Sequence, residues 1–143
     1  MKNLKIIPIL FLLLSFCSCS DDDQSSTMAG LEGEWRLKNI SGGIMGTNID
    51  LNDDAIKWTF NTENNTINVV NTTTEDMLYD PLDTGIYTYE FVESDMQELC
   101  NERIEIDNSD YGCVTINGDT LIIDQRYADG YALRFERKNQ TNQ

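Results

Sequence analysis

The side chains that could do chemistry in this chain are 25 carboxylates, four cysteines and a set of large aromatic rings, and no histidine joins them. Without an imidazole there is no Ser-His-acid or Cys-His nucleophile, and none of the commonest zinc sites. Carboxylates alone can run glycoside hydrolysis, but that needs two of them fixed across a cleft. At this density of acids every spacing occurs by chance and no pair stands out, so the chain is expected not to be an enzyme. A metal would be sought first at residues 48–54, where Asp50, Asn52 and Asp54 recur at alternate positions as in a calcium loop. The central glycine of such a loop is missing, since Ala55 follows Asp54, and Asn61 stands where its bidentate glutamate would be. A solvated acidic loop is the simpler reading, and neither a metal nor a cofactor is expected.

The cysteines fall into two pairs. Cys17 and Cys19 close a stretch in which Lys2 and Lys5 precede the apolar run 6–14 and small residues follow it, the pattern of a secretory signal. The run is too short to span a bilayer as a mature helix. The stretch resembles a bacterial lipoprotein signal. Cys17 follows bulky Phe16, whereas Cys19 follows the small Ser18 that suits the peptidase, so the resemblance assigns lipid attachment to Cys19. Ser20-Asp21-Asp22-Asp23 then resembles the signal by which some Gram-negative bacteria send lipoproteins to the outside of the outer membrane; the bare alternative is a solvated spacer. The resemblance implies an outer-membrane protein exposed at the cell surface and held to the membrane by several acyl chains, which anchor stably where one would not. Disulfides form and persist in such a compartment, so Cys100 and Cys113 are expected to be bridged rather than two buried thiols.

Removal of residues 1–18 takes Lys2 and Lys5 and no acid, leaving 8 basic against 25 acidic residues, a formal charge of −17. Nucleic acid and bare anionic surfaces are therefore poor partners. What remains suffices for one domain with one core. Residues 19–30 read as a lipidated flexible tether, residues 31–138 as the domain and residues 139–143 as a disordered tail.

The elements that would position the rings are strands. Trp35 and Leu37 alternate with Arg36 and Lys38; Ile56, Trp58 and Phe60 share one face, as do Ile67 and Val69; Tyr87, Tyr89 and Phe91 oppose Thr88 and Glu90. Further strands are expected at 102–107, 113–116, 120–124 and 131–137, with hairpin turns at Asn117-Gly118 and Asp129-Gly130. Ser94 with Gln97 matches a capping box, so one short helical turn is expected to run to Cys100. Two long connections interrupt the strands: the glycine-rich stretch 41–54, long enough to be either disordered or functional, and the stretch 72–84, whose apolar residues must pack somewhere. The fold class is all-β, an eight-stranded antiparallel up-and-down barrel, with an open sandwich as the alternative.

Gly33-Glu34-Trp35 at the head of the first strand, together with the ending Tyr131-Ala132-Leu133-Arg134-Phe135-Glu136-Arg137, resembles the lipocalins and the small lipocalin-like domains of bacterial lipoproteins. The chain departs from classical lipocalins in having no helix after the last strand. The resemblance implies that the first loop covers an open end and that a small apolar or amphipathic ligand binds among Trp58, Phe60, Tyr87, Tyr89, Phe91 and Tyr131. The other reading is that these rings fill a small barrel, leaving a non-enzymatic module that binds a protein or glycan on its outer surface. At the closed end, counting by twos places Arg137 against Trp35, in the manner of the tryptophan-arginine contact of lipocalins. A three-residue last loop would set Ile123 opposite Phe135, and Ile104 is expected opposite Val114, which points Cys113 outward.

Overall fold

Strands that alternate apolar and polar residues can bury only one face, and a run of them joined by short turns hides that face by curling until the last pairs with the first. The computed structural model describes residues 30–74, 79 and 81–138 and shows this closure. The strands are β1 (Gly33–Gly42), β2 (Thr47–Asp50), β3 (Ile56–Asn61), β4 (Thr66–Asn71), β5 (Gly85–Glu93), β6 (Glu102–Ile106), β7 (Ser109–Asn117), β8 (Thr120–Asp124) and β9 (Tyr131–Arg137), with one 3₁₀ turn at Arg126–Ala128. All pairings are antiparallel. Eight strands close the barrel through β1 and β9, while β2 stands outside the ring, paired only with the second half of β1.

The core is the inward phase of these strands. Trp35, Leu37, Ile40, Ile56, Trp58, Phe60, Ile67, Val69, Ile104, Leu121 and Phe135 are wholly buried. Two irregularities keep that phase. In β1 the register against β9 shifts between Leu37 and Asn39, so the inward series runs Trp35, Leu37, Ile40 and leaves Lys38 outside. The second lies between β6 and β7, where the register shifts at Ile104 and Glu105, putting Gly112 rather than Val114 opposite Ile104. Gly112 has φ +98, and any side chain there would drive into the Asp124 carbonyl, so only glycine fits. The shift lets Tyr111 and Val114 both reach the core and turns Cys113 to the outer face.

The last hairpin also differs from expectation. Ile123 lies opposite Leu133, and Leu121 opposite Phe135, because the loop holds the 3₁₀ turn and is two residues longer than the three expected. A slip of two leaves the faces unchanged. After β5, residues 97–99 do form a turn, with the Leu99 and Cys100 amides donating to the Met96 carbonyl. The expected capping box is absent: the Ser94 hydroxyl accepts from the Met96 amide, and the Gln97 side chain reaches Glu93. The helical turn sits instead at Arg126–Ala128.

Up-and-down order puts the first residue of β1, the 62–65 and 94–101 connections and the last residue of β9 at one end, the base. The excursion 43–55, the connection 72–84 and the 3₁₀ turn are at the other end, the mouth.

Candidate functional site

At the base, Trp35 and Arg137 are directly opposed across β1 and β9. The guanidinium carbon lies 4.1 Å from the indole centroid. Arg137 Nη1 donates to the Glu32 carbonyl at 2.7 Å, Nη2 donates to the Gly30 carbonyl, and Trp35 Nε1 donates to the Leu31 carbonyl at 2.7 Å. Every donor of this pair that faces the chain's entry into β1 is thus engaged by that entry. Glu32 is fixed as well: its carboxylate accepts from the Thr62 amide and hydroxyl at 2.7 and 2.8 Å, which holds it below the usual carboxylate range.

Higher in the barrel the rings touch one another. Trp58 meets Phe135 with centroids 4.9 Å apart, Phe60 at 6.2 Å and Tyr111 edge-on at 6.3 Å. Phe60 meets Tyr89 edge-on at 5.4 Å, and Tyr89 meets Phe91 at 5.8 Å. These separations are those of rings in direct contact. Of the six ring residues expected to line a ligand site, Trp58, Phe60, Tyr89 and Phe91 join this chain. Tyr87 packs against the core with its hydroxyl donating to the Asp83 carbonyl at 3.0 Å, and Tyr131 lies at the mouth.

Tyr111 lies outside the ring set expected from the sequence, because the bulge at Gly112 breaks the alternation that would flag it and the strand extends to Ser109 rather than starting at Cys113. Two polar atoms in the stack have no hydrogen-bond partner among the described residues: Trp58 Nε1 and the Tyr89 hydroxyl, on side chains that are 0% and 4% exposed. Burial first, and the Glu32 charge second, push the Tyr89 phenol above its ordinary value.

At the mouth, Tyr79 and Leu82 of the connection 72–84 reach the core. Tyr79 stacks on Tyr131 at 4.6 Å, and Tyr79, Leu82, Leu51 and Ala55 pack against the core. The stretch 41–54 contributes only Leu51 to this packing; most of it forms the β1–β2 hairpin. Gly43 is pinned by its amide donating to the Gly130 carbonyl, and a Cβ there would lie 2.8 Å from the Tyr131 ring. The tip residues Ile44 and Met45 are 88% and 87% exposed.

The side chains around the alternating acidic stretch 48–54 go separate ways. Asn39 Nδ2 donates to Asn48 Oδ1 and Asp50 Oδ1, Lys38 pairs with Asp53, and Arg36 pairs with Asp54 at 3.2 Å. Among the described residues no three acidic, cysteine or histidine side chains converge as metal ligands would.

Cys100 and Cys113 are bridged, with Cα atoms 5.8 Å apart. The bridge fastens the 94–101 connection to the outer face of β7. Ser94 is buried beside it, its hydroxyl 3.5 Å from Cys100 Sγ, and Arg103 reaches Asp95 at 3.4 Å and Asp110 at 3.6 Å. Residues 93–99 curl round a groove of about 840 Å³. Cys19, most of the tether and the tail lie outside the described residues.

No family model, no curated protein and no solved structure matches this chain.

Proposed function

We propose that this chain is an outer-membrane lipoprotein, lipidated at Cys19 and exposed at the cell surface, whose lipocalin-like barrel is a non-enzymatic module that recognises a partner with its outer surface. The observation that carries this reading is the continuous ring contact from Phe135 through Trp58, Phe60 and Tyr89 to Phe91. An eight-stranded barrel has an interior just wide enough to be filled by side chains, and rings in mutual contact stabilise the fold by excluding everything else. The lipid supports the same reading by concentrating the module at a surface, and the acidic charge suits it to remaining soluble there.

A second reading keeps a small apolar or amphipathic ligand inside the barrel. The orphaned Trp58 Nε1 and Tyr89 hydroxyl favour it, since a buried donor without a partner costs about 1–3 kcal/mol and an acceptor on a ligand would satisfy it.

Mass spectrometry tests both parts. The mature N-terminus is expected to be an acylated Cys19, and acylation at Cys17 would refute that assignment. An organic extract of the purified protein is expected to hold no stoichiometric small molecule, the anchor's acyl chains staying with the protein to which they are covalently attached. A one-to-one apolar compound in that extract would favour the second reading over the first.

A further inference from the structure

The chain joins β5 to β6 in a way that closure of the barrel does not require. Glu93 and Glu102 are already opposed, so a tight turn would serve. Instead eight residues, 94–101, are stapled by a disulfide to the outside of β7, bury Ser94, and leave Leu99 62% exposed. They wrap the groove of about 840 Å³, in which Met96 and Leu99 supply apolar surface and Glu93, Asp95 and Glu98 supply charge.

The same hairpin is rich in acid, with seven acidic residues and one basic, Arg103, between residues 85 and 108. Arg103 is engaged by Asp95 and Asp110. On its outer face Glu90 stands directly opposite Glu105, a like-charge pair that weakens a sheet. Folding alone gives no reason for that pair or for an exposed leucine in a fastened loop.

We propose that the groove of residues 93–99, extended by the outer face of the β5–β6 hairpin, docks a basic segment of a partner protein, its lysines or arginines against the carboxylates and an apolar side chain on Met96 and Leu99. The inference rests on the reading of the barrel as a filled interaction module and names its partner's chemistry. Charge complementarity selects this occupant. A metal ion needs converging ligands, and among the described residues no such trio forms. Nucleic acid and anionic lipid are repelled. A polypeptide meets carboxylates that are spread along a groove one at a time, and a disulfide-held loop has little ordering entropy left to lose on binding.

The test is calorimetry and amide chemical-shift mapping of the full chain in a neutral detergent, titrated with a short peptide of alternating lysine and leucine, with an all-lysine peptide of equal charge as control. Saturable one-to-one binding is expected, with shifts confined to the β5–β6 hairpin. Leu99→Ser should weaken the alternating peptide about tenfold and leave the all-lysine peptide unchanged. Glu93→Gln with Glu98→Gln should weaken both at least tenfold, whereas removing two exposed charges by the mouth, Asp83→Asn with Asp129→Asn, should change neither by more than about twofold.

Shifts scattered over the whole acidic surface, equal effects of the two charge pairs, or no saturable binding would each overturn the groove while leaving the filled module standing. A stoichiometric compound inside the barrel would overturn the module instead.

Discussion

The two tryptophans occupy the same cross-strand position, Trp35 in β1 directly opposite Trp58 in β3, both fully buried, yet they are held by different physics. Trp35 is wired: its N–H is bonded, its face carries a guanidinium, and that guanidinium reaches two carbonyls of the entering chain. Trp58 is packed, with rings on several sides and an N–H that finds no acceptor among the described residues. The contrast shows that one residue type in one layer can set the register of closure on one strand and serve as volume on the next.

Predictions that could break this contrast differ in size. The largest concerns the covalent part of the base. Replacing both Cys100 and Cys113 by serine should lower unfolding free energy by about 3 kcal/mol, from the loop of roughly 14 residues that the bridge closes. Urea denaturation with and without reductant checks it.

Next, the same substitution should differ at the two sites. Trp35→Phe should cost about 2.5 kcal/mol, through lost volume, the lost Leu31 bond and a weaker cation-π contact. Trp58→Phe should cost about 1 kcal/mol, because removing an unpaired donor offsets part of the lost packing. Equal losses would erase the distinction. Arg137→Lys should cost about 1.5 kcal/mol, since an ammonium cannot reproduce the fork to Gly30 and Glu32. Arg134→Lys, half-exposed beside Glu136, should change stability by less than about 0.5 kcal/mol.

Acidity sharpens the comparison further. Glu32, held low by Thr62, and Asp124, held low by Arg126, stabilise the fold above the ordinary carboxyl range near 4, and that part is lost as pH falls through their lowered values. Tyr89 and Tyr127 are both raised, chiefly by burial, so their contribution is complete below the ordinary phenol value near 10 and is lost as pH rises through the folded values. Thermal midpoints against pH should fall at both extremes, and Tyr89→Phe should reduce only the alkaline fall.

The opposition of Trp35 and Arg137 was legible because it depends only on parity and on the last strand meeting the first. Counting by twos from either end survives errors in the middle. Registers were less legible where loop length mattered. The 3₁₀ turn after Asp124 moved Ile123 from Phe135 to Leu133 without exchanging faces, a slip of two that alternation cannot detect. The bulge at Gly112 hid Tyr111.

Strand β2 could not be read at all. Thr47-Asn48-Ile49-Asp50 has no buried residue, and the side chain that ties it down, Asn39, sits on another strand. The ring set was legible as inward-facing. What decides between a lined cavity and a filled one is the distance between rings, and spacing along a chain does not encode it.

The claim that matters most is that the barrel is filled, and Trp58 is the reporter inside it. Titrating the protein with an apolar fluorophore that accepts energy from tryptophan, in wild type and in Trp58→Phe, reads that interior directly. A filled barrel predicts no saturable transfer in either protein. Saturable one-to-one transfer from the wild type, greatly reduced in Trp58→Phe, would contradict it and put a ligand among the rings.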